Sequence, residues 1–330
     1  MAHAVSDPVL AVENLTVSFK AGGRAHVAVD RVDLTVNRGE VLGLVGESGS
    51  GKSVTGLALM GLIEAPGRVS GGQILFEGRD IAGLPEAELR PLRGKRMAMI
   101  FQDPMTTLNP VLRVETQVVE AITAHERVGG KAARARARDA LVRVGIAGPD
   151  ERLRAYPHQL SGGMRQRIAI AIALLHAPAL LIADEPTTAL DVTIQAQILA
   201  EAQALCAEMG TALIWITHDL AVVAGLADRL CVMYAGRIVE TGPVADVIEA
   251  PLHPYTAGLI ASAPSRNARG VPLAQIPGMA PALTHRPPGC AFAPRCARAS
   301  PDCAEPPPVA RAEPARFALC RHPLQPTRVP

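Results

Sequence analysis

An α/β fold built on a parallel sheet is predicted by three features of the sequence. Short apolar runs, VLGLVG (41–46), LLIAD (180–184), TALIWITH (211–218) and RLCVMYAG (229–236), alternate with stretches of helical pattern. That alternation places helices on both faces of a parallel sheet. The first run leads into a glycine-rich loop, GESGSGKS, and then into the helical pattern KSVTGLALMGLI, the strand–loop–helix context of a phosphate-binding loop. Finally, 17 of the 28 prolines fall in residues 251–330, which predicts a mostly irregular extension.

Along the chain, LAVENLTVSF and AVDRVDLTV alternate apolar and polar residues, as half-buried antiparallel strands do. RMAMIFQ (96–102) reads as a further strand, and residues 104–160 are mostly helical in pattern, most clearly in KAARARARDALVRVG. The predicted division is a core domain over 1–250, with a helical part at about 104–175, and an extension over 251–330. A hydrophobic fraction of 48% with 19% charge describes a packed globular chain. Thirty-three basic against 31 acidic residues give no support to nucleic-acid binding. The chain opens without a basic start and apolar block, and its longest uncharged apolar run, 168–183, contains His176 and Pro178. That run is shorter than the ~20 apolar residues of a spanning helix. The expectation is a soluble, cytosolic chain, where clustered cysteines lean toward metal binding or redox chemistry.

The glycines of GESGSGKS let the backbone N–H groups of Gly46, Glu47, Ser48, Gly49, Ser50 and Gly51 turn inward around phosphate oxygens. Lys52 can reach the outer phosphates of ATP, and the Ser53 hydroxyl can ligate Mg²⁺. The apolar strand of LLIADE ends in Asp184, placed to hold Mg²⁺ indirectly. Glu185 follows at the strand tip, where it could polarise an attacking water as general base.

LSGGMRQR (160–167), about twenty residues before the acidic strand, resembles the signature of ATP-binding cassette (ABC) ATPases. The resemblance covers roughly residues 8–325 and implies that family's fold: a parallel core sheet, an antiparallel β subdomain and a helical subdomain. It implies roles for Gln102 in FQDP as the Q-loop residue and Mg²⁺ ligand, Asp191 in ALD as the D-loop and His218 in THD as the switch histidine. Phe19 sits where the family places an aromatic against adenine, although a strand-end core phenylalanine is an equal reading. In the family the signature, here Leu160, Ser161, Gly162, Gly163 and Met164, caps the ATP held by the opposite subunit. With one loop and one signature, the chain is expected to supply half of a working dimer.

FQDPMTTLNP, YPHQLSGGM, DEPTTALDVTIQAQIL and HPYTAGLI look like ATPase subunits of dipeptide and oligopeptide importers; nickel import is the alternative within that group. The resemblance implies a sister ATPase, two transmembrane permeases, an extracytoplasmic solute-binding protein, and a peripheral place on the cytoplasmic face of the cell inner membrane. A non-transport cassette ATPase of DNA repair or translation would instead predict a coiled-coil insertion, a basic patch or two cassettes. The one basic run, Lys131, Arg134, Arg136 and Arg138, reads as a solvated helix face. A nucleotide-binding scaffold without turnover is opposed by intact Lys52, Asp184, Glu185 and His218.

Cys290, Cys296, Cys303 and Cys320 crowd into the extension with spacing C-x5-C-x6-C-x16-C. Structural zinc sites usually contain a tight pair two to four residues apart, which this spacing lacks. Longer chelate loops stiffened by Pro294 and Pro301 better suit an iron–sulfur core. The pattern also resembles the tail of some dipeptide-importer ATPases, which implies a 4Fe–4S cluster; Zn²⁺, free thiols or disulfides are the alternatives. Arg295, Arg298 and Arg321 are expected to offset the thiolate charge. Distance in sequence from the phosphate loop predicts a structural or redox-sensing role. Cys206 and Cys231 lie in apolar patterns and are expected in the core.

Overall fold

The computed structural model describes residues 8–102, 107–186, 192–263, 267, 272, 274–313 and 316–325. The chain divides into two compact units: one contains the residues up to Val36, Glu40–Gly83 and those from Trp215 onward, the other Asn37–Gly39 and Leu84–Ile214.

In the first unit, β1 (Leu10–Ala21) and β2 (Arg24–Val36) pair antiparallel from Leu10↔Val36 to Ala21↔Arg24. β1 pairs on its other side with β4 (Gly67–Phe76), which continues to β5 (Arg79–Asp80). The alternating residues of β1 bury Leu10, Val12, Leu15 and Val17 on one side of this antiparallel layer. A second layer begins with β3 (Val41–Val45), buried at every residue and parallel to β9 (Arg229–Tyr234). β10 (Arg237–Pro243) turns back antiparallel on β9.

The extension is less irregular than its prolines suggest. A helix spans Pro254–Ala261, opened by the His253 imidazole accepting from the Tyr255 N–H, with Pro254 at the first helical position, where its missing donor costs nothing. β11 (Val309–Glu313) and β12 (Arg316–Leu319) form a hairpin, and β12 pairs with β10 through Glu240↔Ala318 and Thr241↔Phe317. The open edge of β10 needs backbone partners, and the hairpin supplies them. Glu240, fully buried, accepts from the Leu252 and His253 N–H groups at 2.7 and 2.8 Å and faces Arg316 at 3.8 Å. Farther along, Arg286 pairs with Asp30 at 3.0 Å. Burial of Asp30 would raise its pKa, but Arg237 and Arg31 outweigh that and hold the carboxyl below its usual range.

In the second unit, β6 (Met97–Ile100) and β7 (Leu180–Asp184) pair parallel from Met97↔Leu180 to Ile100↔Ala183. Its helical part buries residues four apart: Val114, Val118 and Ile122 on the helix Val114–Thr123, and Ala133, Ala137 and Leu141 on Gly130–Arg143. The basic face of the latter helix is salt-bridged: Arg134 to Glu115, Arg136 to Glu126 and Arg138 to Asp150. A long helix, Val192–Met209, leads to β8 (Ala212–Thr217), at which the chain passes from the second unit to the first. Cys206 and Cys231 are buried as expected, and burial raises the Cys206 thiol to about 12. Among the described residues no helix is long and apolar enough to cross a membrane.

His253 generates a pH prediction. Burial pushes its imidazole from 6.5 down to about 4, so below pH 6.5 the unfolded chain takes a proton that the folded chain refuses. Stability should therefore fall by about 3 kcal/mol as pH drops from 6.5 to 4. His253→Asn keeps a capping acceptor but does not titrate. Denaturant midpoints measured across that window should fall less steeply in the variant than in the parent.

Candidate functional site

The loop after β3 is shaped by what its backbone must pass. A Cβ placed on Gly46 would lie 2.1 Å from the Met233 carbonyl oxygen, and Gly51 holds φ 106° at the cap of the helix Lys52–Leu59. Neither position tolerates a side chain, so the glycines let the loop turn tightly against β9. Lys52 is buried, and its Nζ donates to the Gly46 and Glu47 carbonyls at 2.8 and 3.0 Å. The ammonium thus sits on the inner face of the loop that phosphates would enter, beside the N-terminus of the helix Lys52–Leu59. Ser50 is buried, Ser53 half-buried, and Ser48 and Gly49 are exposed. Phe19 is half-buried on β1, its ring packed over Gly67, where a Cβ would meet Cε1 at 2.5 Å. His218 is exposed just after β8, next to Asp219, whose carboxylate caps the helix Leu220–Ala224 by accepting from the Ala221 N–H.

The second unit brings together two residues 83 positions apart. Ile100 pairs with Ala183, so Gln102 and Glu185 each lie two residues beyond, at the C-terminal ends of adjacent parallel strands. That is where open α/β sheets bind ligands. Gln102 Nε2 donates to Glu185 Oε2 at 3.2 Å. Glu185 holds φ 43°, a left-handed conformation uncommon for a residue with a side chain, while Asp184 before it is buried. In the same unit Ser161 caps the helix Gly162–Leu174, its hydroxyl accepting from the Met164 N–H at 3.3 Å. Gly162, Gly163 and Met164 thus form a half-exposed helix N-terminus, and Leu160 before it is buried. Asp191 lies outside the described residues.

The four clustered thiols converge on one cavity of about 20 Å³, walled also by His253, Phe292 and His322. Cys303 and Cys320 are buried, Cys290 and Cys296 half-buried. Burial first, and then the charges of the other cysteines, raise the Cys320 thiol to about 11; burial likewise raises Cys290. The expected metal or cluster gains no support from this geometry. Among the described residues no group of three or more His, Cys, Asp or Glu side chains is disposed to hold a metal ion. The four thiols are the soft donors that a thiolate-bound group takes, but in this arrangement they do not surround a common metal position.

The arginines near the cysteines differ from expectation. Arg295 binds Glu47 of the phosphate loop, Arg321 faces Glu305 at 3.4 Å, and Arg298 offers its backbone N–H to Cys296 Sγ. Sequence reasoning assigned Arg295 to the thiolates and missed its grip on Glu47, and it missed Tyr255, whose hydroxyl accepts from the Glu47 N–H at 2.9 Å. A proline-flanked arginine beside cysteines carries no local sign that its partner lies 248 residues away.

This fold and these loops define a class, the ATPase cassettes. The structure resembles a dimeric post-hydrolysis ATP-binding cassette bound to ADP and Pi, with TM-score 0.65 and 27% identity over 71% of this chain and 98% of that one. It also resembles cbiO1 of Clostridium perfringens, part of an ABC transporter complex, with TM-score 0.62 and 30% identity over 73% and 91% of the two chains. A family model described as ABC transporter matches residues 29–188, and one described as oligopeptide/dipeptide transporter, C-terminal region, matches 239–303. The oligopeptide transport ATP-binding protein OppD of Bacillus subtilis is 52% identical over 87% of this chain and 81% of its own length. The Escherichia coli protein of that name is 47% identical over 98% and 96%, and the dipeptide transport ATP-binding protein DppD of B. subtilis 50% over 88% and 87%. The chain belongs to the ATP-binding subunits of ABC transporters, in the oligopeptide/dipeptide branch.

Glu185→Gln keeps shape but cannot accept a proton from water. ATP turnover should fall ~10²–10⁴-fold while equilibrium ATP binding is retained; parent-level turnover would remove Glu185 from the role of base.

Proposed function

We propose that this chain hydrolyses ATP to drive import of di- or oligopeptides, as a peripheral subunit on the cytoplasmic face of the cell inner membrane. The observation that carries the reading is the Lys52 ammonium, buried and held by the Gly46 and Glu47 carbonyls on the inner face of a loop only glycine can form. An ATP triphosphate offers that ammonium stronger oxygen acceptors than two neutral carbonyls. Lys52 and the backbone N–H groups of the loop bind and orient the phosphates, except those of Glu47 and Ser50, which donate to the Tyr255 hydroxyl and the Glu47 carbonyl, and Phe19 packs against adenine. Mg²⁺, supplied with ATP, neutralises phosphate charge; Ser53 and Gln102 would hold it, with Asp184 acting through the surrounding shell. Glu185 takes the proton of the attacking water, and His218 and Asp191 serve as switch and D-loop residues.

The N-terminus at Ser161–Gly163 would close over ATP held by another subunit, because one chain carries one loop and one signature. The related cassette solved in its post-hydrolysis state is dimeric, which supports this reading. The partners are a sister ATPase, two permeases that admit the peptide through the membrane, and a solute-binding protein outside it; relatives named as oligopeptide and dipeptide transport proteins support them. The purified chain should bind Mg-ATP yet hydrolyse it slowly, and the assembled transporter should restore peptide-stimulated turnover. Full, peptide-stimulated activity from a strict monomer would overturn the composite site.

We propose a 4Fe–4S cluster at the four-thiol cavity; the reading rests on Cys290, Cys296, Cys303 and Cys320 all lining that one cavity and requires them to rearrange around the core. Protein purified without oxygen should be brown, with iron and sulfide in near-equal amounts, and Cys296→Ser should bleach it. A colourless anaerobic preparation with stoichiometric zinc would assign the site to Zn²⁺.

A further inference from the structure

The turn that precedes Cys296 reaches the phosphate loop. Arg295 ends the short turn Ala293–Arg295, and its guanidinium grips the Glu47 carboxylate with both arms, Nη1 at 2.7 Å from Oε2 and Nη2 at 2.9 Å from Oε1. The remaining donors are also used. Nε donates to the Pro277 carbonyl at 2.8 Å, Nη1 also reaches the Tyr234 hydroxyl at 3.3 Å, and Nη2 the Ile276 carbonyl at 3.4 Å. The charge lies 5.8 Å from the Tyr234 ring centroid and 5.9 Å from that of Phe292. With only 6% of its side chain exposed, this is a built clamp and unlike a surface ion pair, whose long side chains stay mobile.

Glu47 is an unexpected residue to find so held. Its carbonyl faces inward to Lys52 and its N–H outward to Tyr255, so the residue forms part of the phosphate cradle itself. A carboxylate one residue into that cradle repels incoming phosphates unless its charge is cancelled. The cation that cancels it is peptide-bonded to Cys296, and Phe292 and Cys296 on either side of the turn both wall the thiol cavity.

We propose that Arg295 is a positioning residue for the phosphate loop: by fixing and neutralising the Glu47 carboxylate it sets nucleotide affinity, and it places that affinity under the control of the cysteine-bearing turn. The inference rests on Gly46–Ser53 being the ATP phosphate loop. Lys52→Ala tests that premise separately, because a variant binding ATP like the parent would remove the premise itself.

The experiment is calorimetric titration of Mg-ATP into the full chain at low and high salt. Arg295→Ala should bind roughly tenfold more weakly at low salt, with the deficit shrinking at high salt. Arg295→Lys, which keeps the charge and loses the fork, should fall between the two. The decisive variant is Glu47→Gln with Arg295→Ala: removing the uncancelled carboxylate should return affinity to within about threefold of the parent. Parent-like binding by Arg295→Ala, or a double variant as weak as the single one, would overturn charge cancellation, the latter leaving a packing role. Should Arg295→Ala fail to fold, Glu47→Gln alone decides: its affinity should equal or exceed the parent's, and a loss would overturn the proposal. Cys296→Ser should weaken binding in the same direction, and Glu47→Gln should abolish that sensitivity. Unchanged affinity in Cys296→Ser would overturn control by the thiol turn.

Discussion

Met233 on β9 presents its carbonyl to the point where the chain leaves β3, and a side chain at Gly46 would collide with it at 2.1 Å. That close approach lets the loop turn inward, bury Lys52 and present backbone N–H groups beside a helix N-terminus. Parallel pairing of β3 with β9, in which Val45 faces Val232, sets the position of that carbonyl. The cradle's shape is therefore inherited from sheet register, and its charge from a single ammonium. Because anion binding depends so strongly on local charge, every other ionised group on the loop has to be accounted for, and Glu47 is the one that runs against the purpose.

The same reasoning explains how the extension is attached. Proline-rich segments bury little apolar surface and offer few backbone donors, so they gain little by packing alone. Here they are held by charged groups that reach earlier segments of the same unit: Arg316 facing Glu240, Arg286 on Asp30 and Arg295 on Glu47. Each anchor is a buried or half-buried guanidinium facing a carboxylate; Arg286 and Arg295 also hydrogen-bond theirs, and that fixed geometry makes those two pairings directional. The aromatic group of Tyr234, Tyr255 and Phe292, with ring centroids 4.5–5.3 Å apart, fills the space beneath the third anchor. An extension that reads as an appendage is thereby continuous with the wall of the phosphate loop.

Legibility from sequence followed the range of the forces involved. The short buried strands, the helix rows at Val114, Val118 and Ile122, and the Ser161 cap all rest on contacts within a few residues, so pattern alone finds them. Glycine-rich loops are likewise local, because the backbone freedom they need is written in the residue type. The pairing of β12 with β10 was not legible. Its signal, an open strand edge, exists only once β9 and β10 have folded together.

By itself the sequence determined the chemistry available: a phosphate loop, an acidic strand end, a signature at a helix start and four thiols in one tail. Tertiary structure alone decided which of these groups meet within each unit. Parallel register set Gln102 against Glu185, and packing of the extension, with its helix Pro254–Ala261, against β9 set Arg295 and Tyr255 on Glu47. The reason is physical. A residue's acid–base and hydrogen-bonding repertoire is fixed by its covalent structure, whereas its partner is fixed by which backbone segments share a sheet or a core.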